Sequence, residues 1–282
     1  MQSQLKSFEE LHSALAEFIA IQSVAGNSRE NKRAVYFVAS RLQELGFDVR
    51  IKGGELLEQP VIVAKRPSTN SERKVVLYGH YDVAEPGDPD FWASGTPYVL
   101  QSRGGRLYGR GVADNKGTLL TRIMALRGLI RAGESLPEML FLIQGKEEVN
   151  VPCPETLDIF RREVAHYEAD LFVDETGFND LDDGSAIMFL WSKRGKPVKD
   201  SVESDYLAMA GLDRIEWRHL NKLNGGENCP FLNALPEDAL YVGFGPNDRL
   251  HKIHRPNESL SQTLLEKHFS DFYRFMSAYA QQ

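Results

Sequence analysis

The chain has 282 residues, 42% of them hydrophobic and 26% charged, and its 33 Lys and Arg against 40 Asp and Glu give a formal net charge of −7. So much apolar sequence argues against a chain that stays disordered until bound, and the length suits one large α/β domain, the first expectation, or two small ones. The acidic balance argues against nucleic acid or an anionic membrane surface as the main partner, since both need a basic face.

The segment Met1 to Glu10 is polar and carries two glutamates, unlike a secretory signal. Apolar residues at helical spacing then run from Phe8 through Leu11, Leu15, Phe18 and Ile19, and again through Val35, Val38, Leu42 and Leu45. Both segments read as amphipathic helices, the second ending at Gly46 in a left-handed cap. Short β-rich runs follow at Phe47 to Ile51, Val61 to Ala64 and Val75 to Tyr78, then a helix from Thr118 to Ile130 that stops at Gly133. Met139 to Ile143 reads as a strand, Val164 to Val173 as a helix end and a strand, and Ala186 to Trp191 and Ala239 to Phe244 as strands. Leu260 to Tyr279 closes the chain as a helix, and Pro67 to Arg73, Glu85 to Gly105 and Gly177 to Gly184 read as loops. Strands alternating with helices predict an α/β fold: a single domain with an open mixed, largely parallel sheet and helices on both faces. No run approaches the roughly 18 apolar residues of a membrane span. Two cysteines, Cys153 and Cys229, are too few for a disulfide framework, so a cytoplasmic protein with reduced thiols is expected.

In such a sheet ligands sit beyond the carboxyl ends of the strands. Val75-Val76-Leu77-Tyr78 runs into Gly79-His80-Tyr81-Asp82, where Asp82 can accept the second ring N–H of a metal-bound His80. A hydrogen-bonded surface pair is the plainer reading of those two residues alone. Leu107 to Gly117 is a glycine-rich turn that presents Asp114 before a helix, which a capping aspartate would also explain. Glu147 and Glu148 follow the strand at Met139, where one could ligate a metal while the other holds water; a solvated acidic loop is the common meaning. Asp174 and Glu175 follow Leu171-Phe172-Val173, and His251 and His254 come after Tyr241 to Gly245. Chance does not readily bring all of these to the ends of apolar strand patterns, where one rim of one sheet can collect them.

The stretches GHYDV (Gly79 to Val83), GRLYGRGVADNKG (Gly105 to Gly117), KEE (Lys146 to Glu148) and HRPNE (His254 to Glu258) resemble the di-zinc peptidases and deacylases that include aminoacylase, carnosinase, carboxypeptidase G and succinyl-diaminopimelate desuccinylase. The resemblance implies that Asp114 bridges two zinc ions, that His80 and an acid at 174 or 175 complete one site, and that Glu148 and His254 complete the other. Glu175 is preferred because Val-Asp-Glu-Thr looks like the Val-Gly-Glu-Pro of many relatives, with Asp174 the alternative. Asp82 would orient His80, Glu147 would be the general base, and Asp114-Asn115 would be a cis peptide. The implied chemistry is hydrolysis of an amide bond in a small peptide or N-acyl amino acid by a hydroxide held between the metals, with manganese or cobalt as alternatives to zinc.

Relatives of this kind insert a lid and dimerisation domain after the strand corresponding to Ala186 to Trp191, and here that insertion is expected to be missing, so that residues 1–282 form the catalytic domain alone and the usual lid-mediated dimer is not expected. Gly225, Gly226 and Asn228 look like the family's glycine loop near the substrate. Arg194, Arg218, His219 and His251 are candidates to replace groups that the lid would supply, whereas His12, His166 and His268 sit in helical patterns and read as structural. The alternatives are a catalytically idle metal- or ligand-binding relative acting through a partner protein, and the naturally lidless aminopeptidase branch of the same zinc clan, whose motifs fit less well.

Overall fold

The computed structural model describes residues 2–53, 58–149, 154–169, 171–175, 177–192, 200–219 and 240–282. The chain opens with α1 (Gln2–Ile19) and α2 (Ser28–Glu44). The second helix starts before its apolar stripe because a cap sets its origin: the Asn27 side chain accepts a hydrogen bond from the Glu30 N–H at 3.4 Å. It ends as predicted, with Gly46 at φ 81° and the Phe47 N–H donating back to the Leu42 carbonyl at 3.1 Å.

Next come β1 (Asp48–Lys52), β2 (Val61–Arg66), β3 (Lys74–His80), β4 (Gln101–Arg103), β5 (Arg106–Tyr108), α3 (Lys116–Ala132) and β6 (Glu138–Gln144). The second half holds α4 (Pro154–Ala165), β7 (Leu171–Asp174), β8 (Phe178–Asn179), β9 (Ala186–Ser192), α5 (Asp200–Ala210), β10 (Arg214–His219), β11 (Leu240–Gly243), β12 (Ser259–Ser261) and α6 (Gln262–Tyr279). The large sheet has the order β1-β2-β6-β3-β7-β11-β9-β10, with β8 on β9. Its centre is parallel, β6 with β3, β3 with β7 and β7 with β11, and so is β9 with β10, while β1 with β2, β2 with β6 and β9 with β11 are antiparallel. This is the mixed sheet predicted, parallel at its centre, with four parallel and four antiparallel pairings among the described residues.

Alternation along the central strands serves two cores. Val75 and Leu77 of β3 and Met139, Phe141 and Ile143 of β6 face a core built with α1, α2, α3, α5 and α6. Val76, Tyr78, Leu140 and Leu142 face a smaller one closed by Phe160 and Val164 of α4. Burial on both sides explains why these strands read as unbroken apolar runs.

Several expectations about loops need correction. Glu85 to Gly105 contains β4, whose antiparallel partner β5 follows a two-residue turn of Gly104 and Gly105, both left-handed at φ 57° and 74°. Three-residue strands are too short to leave a periodic signal. Gly177 to Gly184 contains β8, α5 and β10 were not predicted, and the last helix begins at Gln262 because Ser259–Ser261 pairs with β5 instead. Among the described residues no helix is long and apolar enough to cross a membrane. Cys153 and Cys229 lie outside the described residues.

Candidate metal centre

β6, β3 and β7 are parallel neighbours, so their carboxyl ends open on one edge. His80 is the last residue of β3, Glu147 and Glu148 follow β6, and Glu175 follows β7. Asp114 arrives from the turn before α3, and His254 from the loop between β11 and β12, where it holds a left-handed φ of 61°.

The Asp114 carboxylate reaches both histidines, with Oδ1 3.0 Å from His80 Nε2 and Oδ2 3.3 Å from His254 Nε2. Glu175 Oε2 lies 3.3 Å and Glu147 Oε2 3.9 Å from His80 Nε2, and Glu148 Oε2 lies 2.8 Å from His254 Nε2. His80, Asp114 and Glu175 bring one ligand atom each within 4.8 Å of one another; so do Asp114, Glu148 and His254, and a third set is His80, Glu147 and Glu148. The first two sets share Asp114. The nearby Asp174 ends β7 and is buried, while Glu175 is the acid that faces His80.

The partners of Asp82 are more than the one expected. The His80 Nδ1 lies 3.1 Å from the Asp82 carbonyl and 3.4 Å from its carboxylate Oδ1, and Oδ2 accepts the Glu148 N–H at 2.9 Å. Asp82 thus ties the histidine to the loop that carries the two glutamates. The Asp114-Asn115 peptide is cis, and the Asn115 Oδ1 accepts the His80 N–H at 3.4 Å.

Electrostatics show what this cluster lacks. Burial, then the charges of neighbouring acids, push Glu147 up to about 7 and Glu175 well above the usual carboxylate range, despite His80 nearby. Burial works to lower His80, but Glu175, Asp114, Asp82 and Glu147 outweigh it and raise the imidazole. The buried Oε2 of Glu175 makes no hydrogen bond among the described residues. Four carboxylates with two imidazoles, a buried carboxylate oxygen with no hydrogen bond beyond its ion-pair contact with His80, and acids driven toward protonation are the donor set and excess negative charge that a divalent cation satisfies, so the residues present fit a metal.

A cleft of about 990 Å³ opens from the cluster, walled by Phe178, Ile187 and Phe189 and flanked by Asp180, Arg214 and Glu216. Of the four candidates to replace lid groups, His251 lines this cleft, and burial lowers its pKa. Arg194, Gly225, Gly226 and Asn228 lie outside the described residues, and Arg218 and His219 have only their backbone described, at the end of β10. His12 and His166 are exposed, while His268 is buried in the core of α6. Sequence reasoning missed Lys116, whose buried ammonium donates to the Phe18 and Ile21 carbonyls at 2.9 and 2.6 Å and so fastens the end of α1 to the start of α3. The only signal for it was an unexplained lysine in the glycine-rich motif.

An α/β sheet with histidines and carboxylates gathered beyond its parallel strand ends makes this an α/β fold that carries a candidate metal centre. Within that class the chain belongs to Peptidase family M20/M25/M40, whose profile matches residues 76–281. It is 31% identical over 205 residues to the human Beta-Ala-His dipeptidase, covering 67% of this chain and 38% of that protein. It is 29% identical over 136 residues to the succinyl-diaminopimelate desuccinylase of Rickettsia typhi, 48% of this chain and 35% of that one. The chain thus spans well under half the length of these relatives. The crystal structure of the M20 family metallo-carboxypeptidase Sso-CP2 from Sulfolobus solfataricus shares the fold with a TM-score of 0.76 at 13% identity, covering 97% of this chain and 100% of that one.

Proposed function

We propose that the protein is a metal-dependent hydrolase that cleaves an amide bond of a small peptide or N-acyl amino acid: His80, Asp114 and Glu175 would hold one zinc ion, Asp114, Glu148 and His254 a second, and Glu147 would be the general base. The observation that carries this reading is the position of Glu147: it lies inside the cluster but belongs to neither of the two ligand sets that share Asp114. Although it also forms a third possible set with His80 and Glu148, its carboxylate would be left for proton transfer when cations take the two sets that share Asp114.

Bound cations would supply positive charge that polarises the carbonyl and acidifies water. They would also draw Glu147 down from about 7, so that it is a carboxylate at neutral pH. Glu147 then accepts a proton from the attacking water as the new carbon–oxygen bond forms, and delivers it to the amine nitrogen as the carbon–nitrogen bond breaks. Asp82 holds His80 by the Nδ1 side, which leaves Nε2 facing Asp114 and Glu175. Phe178, Ile187 and Phe189 offer an apolar wall for a substrate side chain, and His251 a polar contact.

We further propose that the chain is one catalytic unit without a lid. Ser192 of β9 and Asp200 of α5 are joined by 193–199, too few residues for a folded domain. The test is metal analysis together with turnover of a panel of dipeptides, including β-alanyl-histidine, and N-succinyl amino acids. Wild type is expected to hold two zinc ions and turn over at least one member. Glu147→Gln is expected to hold the same metal and lose roughly 10²- to 10⁴-fold in rate. Two bound ions with no turnover of any member by wild type would reject hydrolysis and favour a ligand-binding role.

A further inference from the structure

Glu258 lies fully buried, four residues beyond His254, and its carboxylate receives four hydrogen bonds. Oε1 accepts the backbone N–H groups of Ala113 and Asp114 at 2.8 and 3.1 Å. Oε2 accepts the Gly111 N–H at 3.0 Å and Arg110 Nη1 at 2.6 Å. Arg110 is as buried as its partner, lies over the Trp92 ring at 5.5 Å, and sends Nη2 to the Glu85 and Arg255 carbonyls at 3.2 and 3.5 Å. Amide N–H groups converging in this way make a concave seat for an anion. Here the anion is part of the chain.

The consequence concerns Asp114. Its carboxylate must reach His80 on one side and His254 on the other while standing among Glu147, Glu148 and Glu175, which repel it. A side chain on a free loop would turn away. Glu258 grips the Asp114 amide directly, and because it shares the 254–258 segment with His254, it ties two members of the cluster to one anchor.

We infer that Glu258 is a positioning residue for the cation cluster: it fixes the Asp114 backbone so that one carboxylate serves both cation sites, and its loss weakens both sites together. This rests on the two-cation reading proposed above. A purely structural buried ion pair would lower stability and leave cation binding alone.

The experiment compares metal-free wild type, Glu258→Gln, Glu175→Gln and Asp271→Asn, each titrated with cobalt(II) and followed by visible absorption, with zinc counted after dialysis. Asp271→Asn is the control, since it weakens the ion pairs that the buried Asp271 carboxylate makes with the partly exposed Lys267 and the exposed Arg274 on α6, away from the cluster. It is expected to lose stability and keep both cations. Glu175→Gln is expected to weaken one site, and Glu258→Gln to weaken both by roughly 10- to 100-fold, with an altered cobalt spectrum. Should Glu258→Gln fail to fold, Arg110→Lys, which keeps the charge and loses the fork, is expected to weaken both sites to a smaller degree. Either variant taking up two cobalt ions with the wild-type affinity and spectrum overturns the positioning role alone. A wild type that binds fewer than two cations overturns the two-cation reading itself.

Discussion

His268 and His80 are both buried histidines, and their surroundings drive them in opposite directions. Burial, then the Arg122 and Lys267 charges, hold His268 well below its ordinary 6.5 as it accepts the Arg122 Nε–H at 3.4 Å. The folded state therefore binds fewer protons than the unfolded chain below pH 6.5, and stability present above that pH is lost as the pH falls through it. In urea unfolding between pH 7.5 and 5, His268→Gln is expected to remove up to about 1.4 kcal/mol per pH unit of acid sensitivity relative to wild type. An unchanged slope would place His268 outside this account. Lys116→Met is expected to cost about 1–3 kcal/mol in the same assay, because the Phe18 and Ile21 carbonyls lose their shared donor. His80, Asp114, Glu147, Glu148, Glu175 and His254 were legible as a group, since each follows an apolar run or a motif. The anchoring of Asp114 by Glu258 was not, because nothing local links positions 114 and 258.

Elements differ in how tightly a single glycine constrains them. Gly46 ends α2 in a left-handed conformation with open space around it, so Gly46→Ala is expected to cost only about 1–2 kcal/mol in a thermal melt followed by circular dichroism. Gly177 is different. A Cβ there would stand 1.7 Å from the Gly245 backbone nitrogen, where the segment after β7 crosses the segment after β11. Both neighbours are main chain and cannot rotate aside, so Gly177→Ala is expected to prevent folding to soluble protein. The same crossing is secured by Asn179, whose side-chain amide donates to the Gly245 and Asn247 carbonyls at 2.9 and 3.2 Å. Long elements such as α3 and β6 were predicted close to their true bounds, since their burial spans several turns or residues. β4, β8 and β12 escaped, since two or three residues owe their strand geometry to a partner far away in the chain.

Across the whole molecule, the cluster is a store of unfavourable charge that a bound cation relieves. Adding zinc to the metal-free protein is expected to raise the melting temperature, with a gain of about 2.7 kcal/mol at a concentration one hundred times the dissociation constant, and chelation to reverse it. A melting temperature indifferent to both would count against the cluster as a metal centre. Without a lid, the proposed unit is expected to run as a monomer in light scattering.

What the amino-acid order determined by itself was the pattern set by short-range physics: apolar periodicity marked the long helices and central strands, and the residues just past those strands were the ones with metal-binding chemistry. Tertiary structure alone decided that β6, β3 and β7 lie side by side and parallel, that Glu175 rather than Asp174 turns toward His80, and that Asp82 and Glu258 each hold a backbone amide of a distant loop. Those outcomes depend on which segments meet after burial of the sheet, and no local propensity records such a meeting.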